Sequence, residues 1–337
     1  MTRSSATESS PANSSLRDRP PSPRAPMHLD YYTADVFTDR VFHGAQVAVF
    51  PDARGLDANR MGLIARELNV PQTVFALPPE KPTGHWRVRI FSPVAELDFG
   101  GHSTIAAAHV LAATGKVALT EHHTHIVLEQ KLGPIDVFIT EEAGRPVFTQ
   151  FTMRTRAQID RFVPPHGELA SILSLDSSEI EQLRFQPLAV SCGFAYLIVP
   201  LRSYATVRKA RFDFNAWGRS SAPATFIPEI LLFSTQSRMG TSDFHARLVG
   251  PDIGVNEDPP IASSMPAFAH YLSAQPQVKP GTYTYTVDRG NITTRQSILR
   301  VEMDNKKTEE LTVRVGGPAI LVSTGRIDLP DVGSTAS

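Results

Sequence analysis

The chain has 337 residues, of which 41% are hydrophobic, and a formal net charge of -1. This length and apolar content suffice for two domains with separate cores. The balanced charge excludes a strongly basic surface, so we expect a small-molecule substrate and neither nucleic acid nor a membrane as a partner. No apolar run approaches the ~18 residues that span a bilayer, and no signal-peptide pattern opens the chain, which favours the cytoplasm.

Two sequence features argue against cofactors. The single cysteine, Cys192, excludes an internal disulfide and a cysteine-rich metal site. Gly100 and Gly101 precede a predicted helix, but they lack the GxGxxG spacing of a nucleotide-binding turn. We therefore expect neither a metal nor a nucleotide cofactor.

The first 26 residues hold seven Ser, five Pro and four Arg. Such a segment buries too little apolar surface to offset its ordering entropy, so we expect a disordered extension over 1–26. An organelle transit peptide is the alternative, since the segment is rich in Arg and Ser. Its prolines argue against the amphipathic helix that a transit peptide needs.

The first half of the remaining chain reads mainly as strands. Runs rich in β-branched and aromatic residues predict strands at 31–37, 46–50, 73–77, 86–91, 125–129, 135–140 and 146–153. A helix is predicted over 56–69, because Met61, Ile64 and Ala65 share one face and Asp57 can cap the first turn. A second helix of small residues follows His102. A polar passage over 154–165 marks the crossing to a second domain.

The second half repeats this order of elements. A helix is predicted over 176–183, and another begins at Ser263 and ends near Ser273. Strands are predicted at 188–199, 226–233, 244–249, 281–289, 297–304 and 311–315. Strands in mixed order around a few helices indicate an α+β fold. We expect one domain over 27–153, a second over 154–319, and a return of 320–330 to the first.

Two stretches of the chain share one pattern. The first places Glu96 and then His102 ahead of a small-residue helix, and the second places Glu257 and then Ser263 ahead of another. Helix N-termini present unpaired N–H groups and the positive end of the dipole. Two of them facing one another would form a cleft suited to a carboxylate or an enolate. Chance is the alternative, because alanine-rich helices are common.

Several motifs carry a resemblance to a known family. Residues 89–104 read RIFSPVAELDFGGHST and residues 35–50 read DVFTDRVFHGAQVAVF, with further matches at 64–69, 254–259 and 313–317. These motifs resemble the PhzF family of phenazine-biosynthesis isomerases over about residues 30–328. The resemblance implies a homodimer with a diaminopimelate epimerase-like fold, in which two pseudo-symmetric domains each wrap a mixed sheet around a central helix.

The resemblance also implies a chemistry. In the family, a carboxylate moves a proton along the allylic system of a dihydro-hydroxyanthranilate without a cofactor. His102, Asp258 and Ser263 match the family's histidine, aspartate and serine. The carboxylate position is Gln72, where the family's Asn-x-Ser-Glu-Thr is replaced by Asn-Val-Pro-Gln-Thr. An amide cannot take a proton near neutral pH, although it can donate and accept hydrogen bonds.

We therefore predict His102, Asp258 and Gln72 as the catalytic residues. We place five further residues at the substrate: Gly101, Ser103, Ser263, Thr73 and Gly193. The alternative for His102, Asp258 and Ser263 is that each only caps or complements a helix N-terminus.

Two functions remain open at this point. The first is a cofactor-independent enzyme of secondary metabolism that isomerises or cyclises a small unsaturated or carbonyl-bearing substrate. The second is a catalytically silent protein that keeps the cleft to bind a metabolite or a partner, which the amide at Gln72 favours.

Overall fold

The computed structural model describes residues 27–329 except 226, 238–239, 252, 254–257, 292, 294 and 307–308. The strands are β1 (Met27–Val36), β2 (Ala45–Phe50), β3 (Gln72–Leu77), β4 (Trp86–Phe91), β5 (Glu96–Leu97), β6 (His123–Gln130), β7 (Gly133–Glu142), β8 (Arg145–Thr155), β9 (Gln158–Asp160), β10 (Leu188–Ser191), β11 (Ala195–Pro200), β12 (Ile230–Ser234), β13 (Phe244–Val249), β14 (Thr282–Arg289), β15 (Ser297–Asp304), β16 (Leu311–Gly317) and β17 (Ala319–Leu329).

The helices are α1 (Ala58–Leu68), α2 (Gly101–Ala113), α3 (His166–Ile172), α4 (Tyr204–Lys209), α5 (Phe214–Arg219) and α6 (Met265–Ser273). Short 3-10 turns occur at Ser177–Glu179, Ala222–Thr225 and Ala262–Ser264. The predicted α+β class is confirmed by this mixture. The predicted extension over 1–26 and Glu257 of the second repeat copy lie outside the described residues. Among those that are described, no helix combines the length and apolarity needed to cross a bilayer.

Helix α2 occupies the centre of one lobe. Every residue from Gly101 to Ala112 is buried, and a helix that is apolar on all sides must be enclosed by other elements. It packs against β1, β2, β3, β7, β8 and β17. Strand β7 shows how the sequence produces this enclosure, because Ile135, Val137 and Ile139 are buried while the residues between them face outward.

Helix α6 takes the corresponding place in the other lobe. Its residues Met265 to Leu272 are buried, and it packs against β10, β11, β15 and β16. Aromatic rings fill this core: the ring centroid of Phe233 lies 5.0 Å from that of Phe268 and 5.4 Å from that of Tyr271. Edge-to-face contacts of this kind add stability beyond the apolar area that they bury.

Strands from the C-terminal end join the sheet around α2. Strand β17 pairs antiparallel with β1 along its whole length, from Met27 opposite Leu329 to Val36 opposite Ala319. Strand β16 pairs antiparallel with β8. One continuous sheet therefore runs through both lobes, and the domain boundaries stay a prediction.

Some predictions of individual helices and strands are confirmed, and others are wrong. The capped helix is confirmed, since the Asp57 side chain accepts the N–H of Arg60 at 2.9 Å at the start of α1. The helix predicted over 176–183 is wrong, because only a 3-10 turn forms there. The short helices α3, α4 and α5 were not predicted. The strand predicted over 188–199 is the hairpin of β10 and β11, which turns at Gly193 with φ of 102°.

Candidate active site

The first turn of α2 lies directly against the turn that leads into α6. The N–H of Gly101 donates a hydrogen bond to Oγ of Ser263 at 3.0 Å. The approach is close enough to require glycine, because a Cβ at Gly101 would lie 2.9 Å from the Cβ of Ala262. The structure thus brings Gly101 and Ser263 together, in the arrangement of two facing helix starts that the repeat predicts.

His102 follows Gly101 and is sealed from solvent. Its side chain is 3% exposed, and neither ring nitrogen has a hydrogen-bond partner among the described residues. Burial, followed by the nearby charge of Arg289, lowers the pKa of the imidazole to about 3. The ring is therefore neutral at physiological pH. A neutral imidazole carries one N–H donor and one lone pair, and here both are left for a ligand.

Asp258 is buried and held by two arginines. Both of its carboxylate oxygens accept from the guanidinium of Arg208, with a distance of 2.8 Å between Nη2 and Oδ2. Arg289 donates to the main-chain carbonyl of Asp258. The bidentate pair occupies both oxygens of the carboxylate. This arrangement suits Asp258 to fixing the approach to α6.

Gln72 opens β3 and reaches the same first turn of α2. Its Oε1 accepts a hydrogen bond from Oγ of Ser103 at 2.5 Å. Gly100 is packed closely against it, since a Cβ there would lie 2.5 Å from Oε1 of Gln72. The positive end of α2 favours an oxygen over an NH₂ group at this position.

Two of the predicted substrate contacts, Thr73 and Gly193, form no hydrogen bond with the first turn of α2 among the described residues, and their role stays a prediction. Residues alternate between the faces of a strand, so Thr73 shares the face of Phe75, which packs toward α1, while Val74 packs toward α2. Gly193 is exposed in the turn between β10 and β11, where its positive φ closes the hairpin. The following ring, that of Phe194, stacks on Phe99 with a centroid distance of 6.1 Å.

Sequence reasoning missed Arg208 and Arg289. Arg208 lies on the short helix α4, where nothing in the local pattern distinguishes it from a surface arginine. Arg289 carries a signal that was present in the sequence. It follows Val287 at a spacing of two in β14, so it occupies a position that alternation assigns to the buried face.

The fold and the buried junction of two helix starts define a protein of the diaminopimelate epimerase-like class. Within this class the chain belongs to the PhzC-PhzF family of phenazine biosynthesis-like proteins, whose family model matches residues 34–325. The resemblance stated from the sequence motifs is thereby confirmed.

Individual relatives agree with this assignment. An uncharacterized isomerase of Mesorhizobium japonicum is 29% identical over 302 residues, covering 88% of this chain and 98% of that protein. The trans-2,3-dihydro-3-hydroxyanthranilate isomerase of Pseudomonas chlororaphis is 27% identical over 300 residues, covering 89% of this chain and 99% of that protein. The crystal structure of a PhzF-family phenazine biosynthesis protein of Bacillus anthracis superposes with a TM-score of 0.77 at 19% identity, covering 89% and 99% of the two chains. The family is thus one of isomerases.

Proposed function

We propose that this chain is a cofactor-independent isomerase or cyclase of secondary metabolism, which acts on a small unsaturated or carbonyl-bearing substrate where the starts of α2 and α6 meet. The observation that carries the proposal is His102. His102 is 3% exposed, and its two ring nitrogens have no partner in the described part of the chain, which costs free energy unless a ligand uses them. Such a cost is common where chemistry takes place.

The proposed roles follow from the contacts. Neutral His102 accepts or donates a proton at one ring nitrogen and holds the substrate with the other. The amide of Gln72, oriented by Ser103, donates to an oxygen that gains negative charge in the transition state. Asp258 and Ser263 position the parts of the site, because Asp258 is paired with Arg208 and Ser263 accepts the Gly101 N–H.

The experiment is a turnover assay in D₂O with trans-2,3-dihydro-3-hydroxyanthranilate as the first substrate, read by NMR. This compound is named for the Pseudomonas chlororaphis relative. If the wild type converts it, replacing His102→Gln should lower kcat/KM at least about tenfold, the low end for the loss of a positioned acid–base group. The matched control is His122→Gln on the exposed surface, which should leave turnover unchanged. A fully active His102→Gln variant would contradict the proposed role.

A second function is supported by a different observation. Gln72 presents an amide where a proton transfer would need a base, which favours a protein that binds a metabolite or partner without converting it. The substitution Gln72→Glu separates the two functions. Because Glu can accept the same Ser103 O–H, the variant should fold normally. A wild type without turnover whose Gln72→Glu variant exchanges substrate protons would support the silent binder. Turnover by the wild type would support the enzyme.

We further propose that the chain works as a homodimer in the cytoplasm. The dimer is motivated by the family resemblance and by sheet edges that association commonly covers. Light scattering at micromolar concentration checks it, and a mass equal to one chain would contradict it.

A further inference from the structure

A stacked pair of aromatic rings joins the two lobes beside the proposed site. Phe99 belongs to the lobe of α2 and lies two residues before that helix begins, and Phe194 lies in the other lobe, in the turn between β10 and β11. Their ring centroids are 6.1 Å apart and their planes differ by 21°. The hydrogen bond from Gly101 to Ser263 is a further contact between the lobes, two residues along the chain from Phe99. The start of α2 is therefore held to the other lobe at two neighbouring points.

The ring pair lies between the surface and His102. The chain passes from the exposed Asp98 to His102, which is 3% exposed, within four residues. Phe99 is the first buried residue of this stretch, and Phe194 contacts it from a half-buried position. A small molecule that approaches His102 along this stretch has to pass the two rings.

The two rings are not held equally. Phe99 also meets the ring of Phe151 edge-to-face at a centroid distance of 5.6 Å, and Phe151 is fully buried. The carbonyl of Asp98 accepts the N–H of Leu132 at 2.9 Å, which fixes the backbone just before Phe99. Within the described part of the chain, Phe194 has Phe99 as its single ring partner. Of the two rings, Phe194 is the one that can leave the contact.

Phe194 lies in a short and partly exposed turn. The ladder of β10 and β11 ends with Ser191 opposite Ala195, and inside it the N–H of Cys192 donates to the carbonyl of Phe194 at 3.2 Å. Gly193 at the tip is exposed and has the left-handed φ of 102°, which glycine adopts without strain. Turns of this kind open at a lower free-energy cost than packed strands and helices. The turn can therefore move while the ladder behind it stays paired.

We infer that Phe194 is an aromatic gate that controls the entry of small molecules to His102. The gate opens by a movement of the β10–β11 turn, while the hydrogen bond between Gly101 and Ser263 stays formed. Separating the lobes would break that hydrogen bond and distort the sheet that runs through both, whereas moving the turn gives up one ring contact. The inference rests on the site of the proposed function, but it concerns access and does not require turnover.

A competing role for Phe194 is to pack the two lobes together. In that role, loss of the ring would loosen the whole junction, so the Gly101 N–H and the core around α2 would become accessible together with His102. A gate exposes His102 alone. His109 reports on the core, because it lies two turns further along α2 and is 5% exposed. The two roles therefore differ in which groups become accessible.

The experiment measures the accessibility of histidines with diethylpyrocarbonate, a small reagent that modifies neutral imidazole, in the full chain. Peptide mass spectrometry gives the rate at each histidine, with the exposed His122 as the reference. In the wild type, His102 should react more slowly than His122. Phe194→Ala should raise the rate at His102 at least about threefold, because one aromatic pair contributes a factor of about 2 to 13 to an opening equilibrium. The rate at His109 should stay unchanged.

Phe138→Ala is the matched control variant. It removes a ring that is 39% exposed and stacks on His125, away from the start of α2, so the rate at His102 should stay at the wild-type value. Hydrogen exchange of the Gly101 amide, followed by NMR, is the second readout. It should be equal in the wild type and in Phe194→Ala, because the gate opens with that hydrogen bond intact.

Phe194→Leu guards against a folding failure of Phe194→Ala. Leucine keeps an apolar contact with Phe99 but not the stack, so the rate at His102 should rise by a smaller factor. The inference is overturned if His102 reacts as fast as His122 in the wild type, or if its rate is unchanged in folded Phe194→Ala. It is also overturned if His109 or the Gly101 amide becomes accessible by the same factor. Should Phe194→Ala not fold, an unchanged His102 rate in Phe194→Leu overturns it. An inactive wild type that shows the gate would contradict the proposed enzyme and leave this inference standing.

Discussion

The N–H of Gly101 donates to the hydroxyl of Ser263 across 162 positions of sequence, at a distance of 3.0 Å. The first N–H groups of a helix have no partner within that helix, so α2 obtains one from the turn ahead of α6. The Ser263 hydroxyl still has its own proton to donate, because it only accepts in this bond. One contact thus joins the two lobes and leaves a donor at the site.

The closeness of this contact predicts that Gly101→Ala is destabilising. Alanine has the better helix propensity, but its Cβ would lie 2.8 Å from the carbonyl carbon of Ala262 and 2.9 Å from the nitrogen of Ser263. Overpacking of this kind should lower the free energy of unfolding by about 1–3 kcal/mol. The measurement is urea denaturation.

The matched control is Gly62→Ala in α1. A Cβ there has no atom within 4 Å, so the substitution should raise stability by about 0.5–1 kcal/mol through helix propensity alone. If both variants gain stability, the close approach of the two helix starts is wrong.

The pairing of Asp258 with Arg208 predicts a large effect of Asp258→Asn. The two side chains are 2% and 17% exposed, and the substitution leaves a shielded guanidinium without its carboxylate. We expect a loss of about 3–5 kcal/mol in the free energy of unfolding. Asp30→Asn provides the comparison, because the Asp30–Arg326 pair is 62% and 63% exposed and should contribute at most about 1 kcal/mol. Similar losses in the two variants would argue against the buried pair.

The burial of His102 predicts a specific sensitivity to acid. Its pKa is lowered to about 3 in the folded chain, whereas the unfolded chain has the ordinary value of about 6.5. Below pH 6.5 the unfolded state takes up a proton that the folded state excludes. The free energy of unfolding therefore decreases as the pH is lowered, and this decrease levels off near pH 3. By pH 4.5 the share of His102 in this loss is about 3 kcal/mol.

Unfolding curves at pH 7 and pH 4.5 check this share. His102→Gln should remove it, so the variant should lose less stability between the two pH values than the wild type does. His109, whose pKa burial lowers to about 4, adds a similar share that remains in the variant. His122→Gln, on the surface, should behave as the wild type. An unchanged acid sensitivity in His102→Gln would count against the buried, neutral ring.

Local patterns in the sequence predicted local features well. The Asp57 cap, the alternation of β7 and the position of Gly101 at a helix start all depend on residues close in the chain. The pair of Arg208 with Asp258 joins positions 50 apart, and nothing near either residue specifies the other. Thr73 shows a simpler limit of motif matching: its neighbour Gln72 reaches the first turn of α2, whereas alternation turns Thr73 to the opposite face of the strand.

The low pKa of His102 predicts how kcat/KM depends on pH. An unperturbed histidine would produce a fall in kcat/KM between about pH 7 and 6 as it takes up a proton, and this is the profile that His102 suggests from the sequence alone. Because burial and then Arg289 lower the pKa of His102 to about 3, we expect kcat/KM on a turned-over substrate to stay level through that range. It should decline only as the pH approaches the region where His102 becomes charged. Gln72→Glu adds a carboxylate beside Ser103 and should introduce an ionisation that the wild type lacks. Gln158→Glu on the exposed strand β9 adds the same charge away from the site and should leave the profile level. A wild-type rate that halves near pH 6.5 would show that His102 titrates as an accessible histidine, and would remove the basis for a neutral ring at this site.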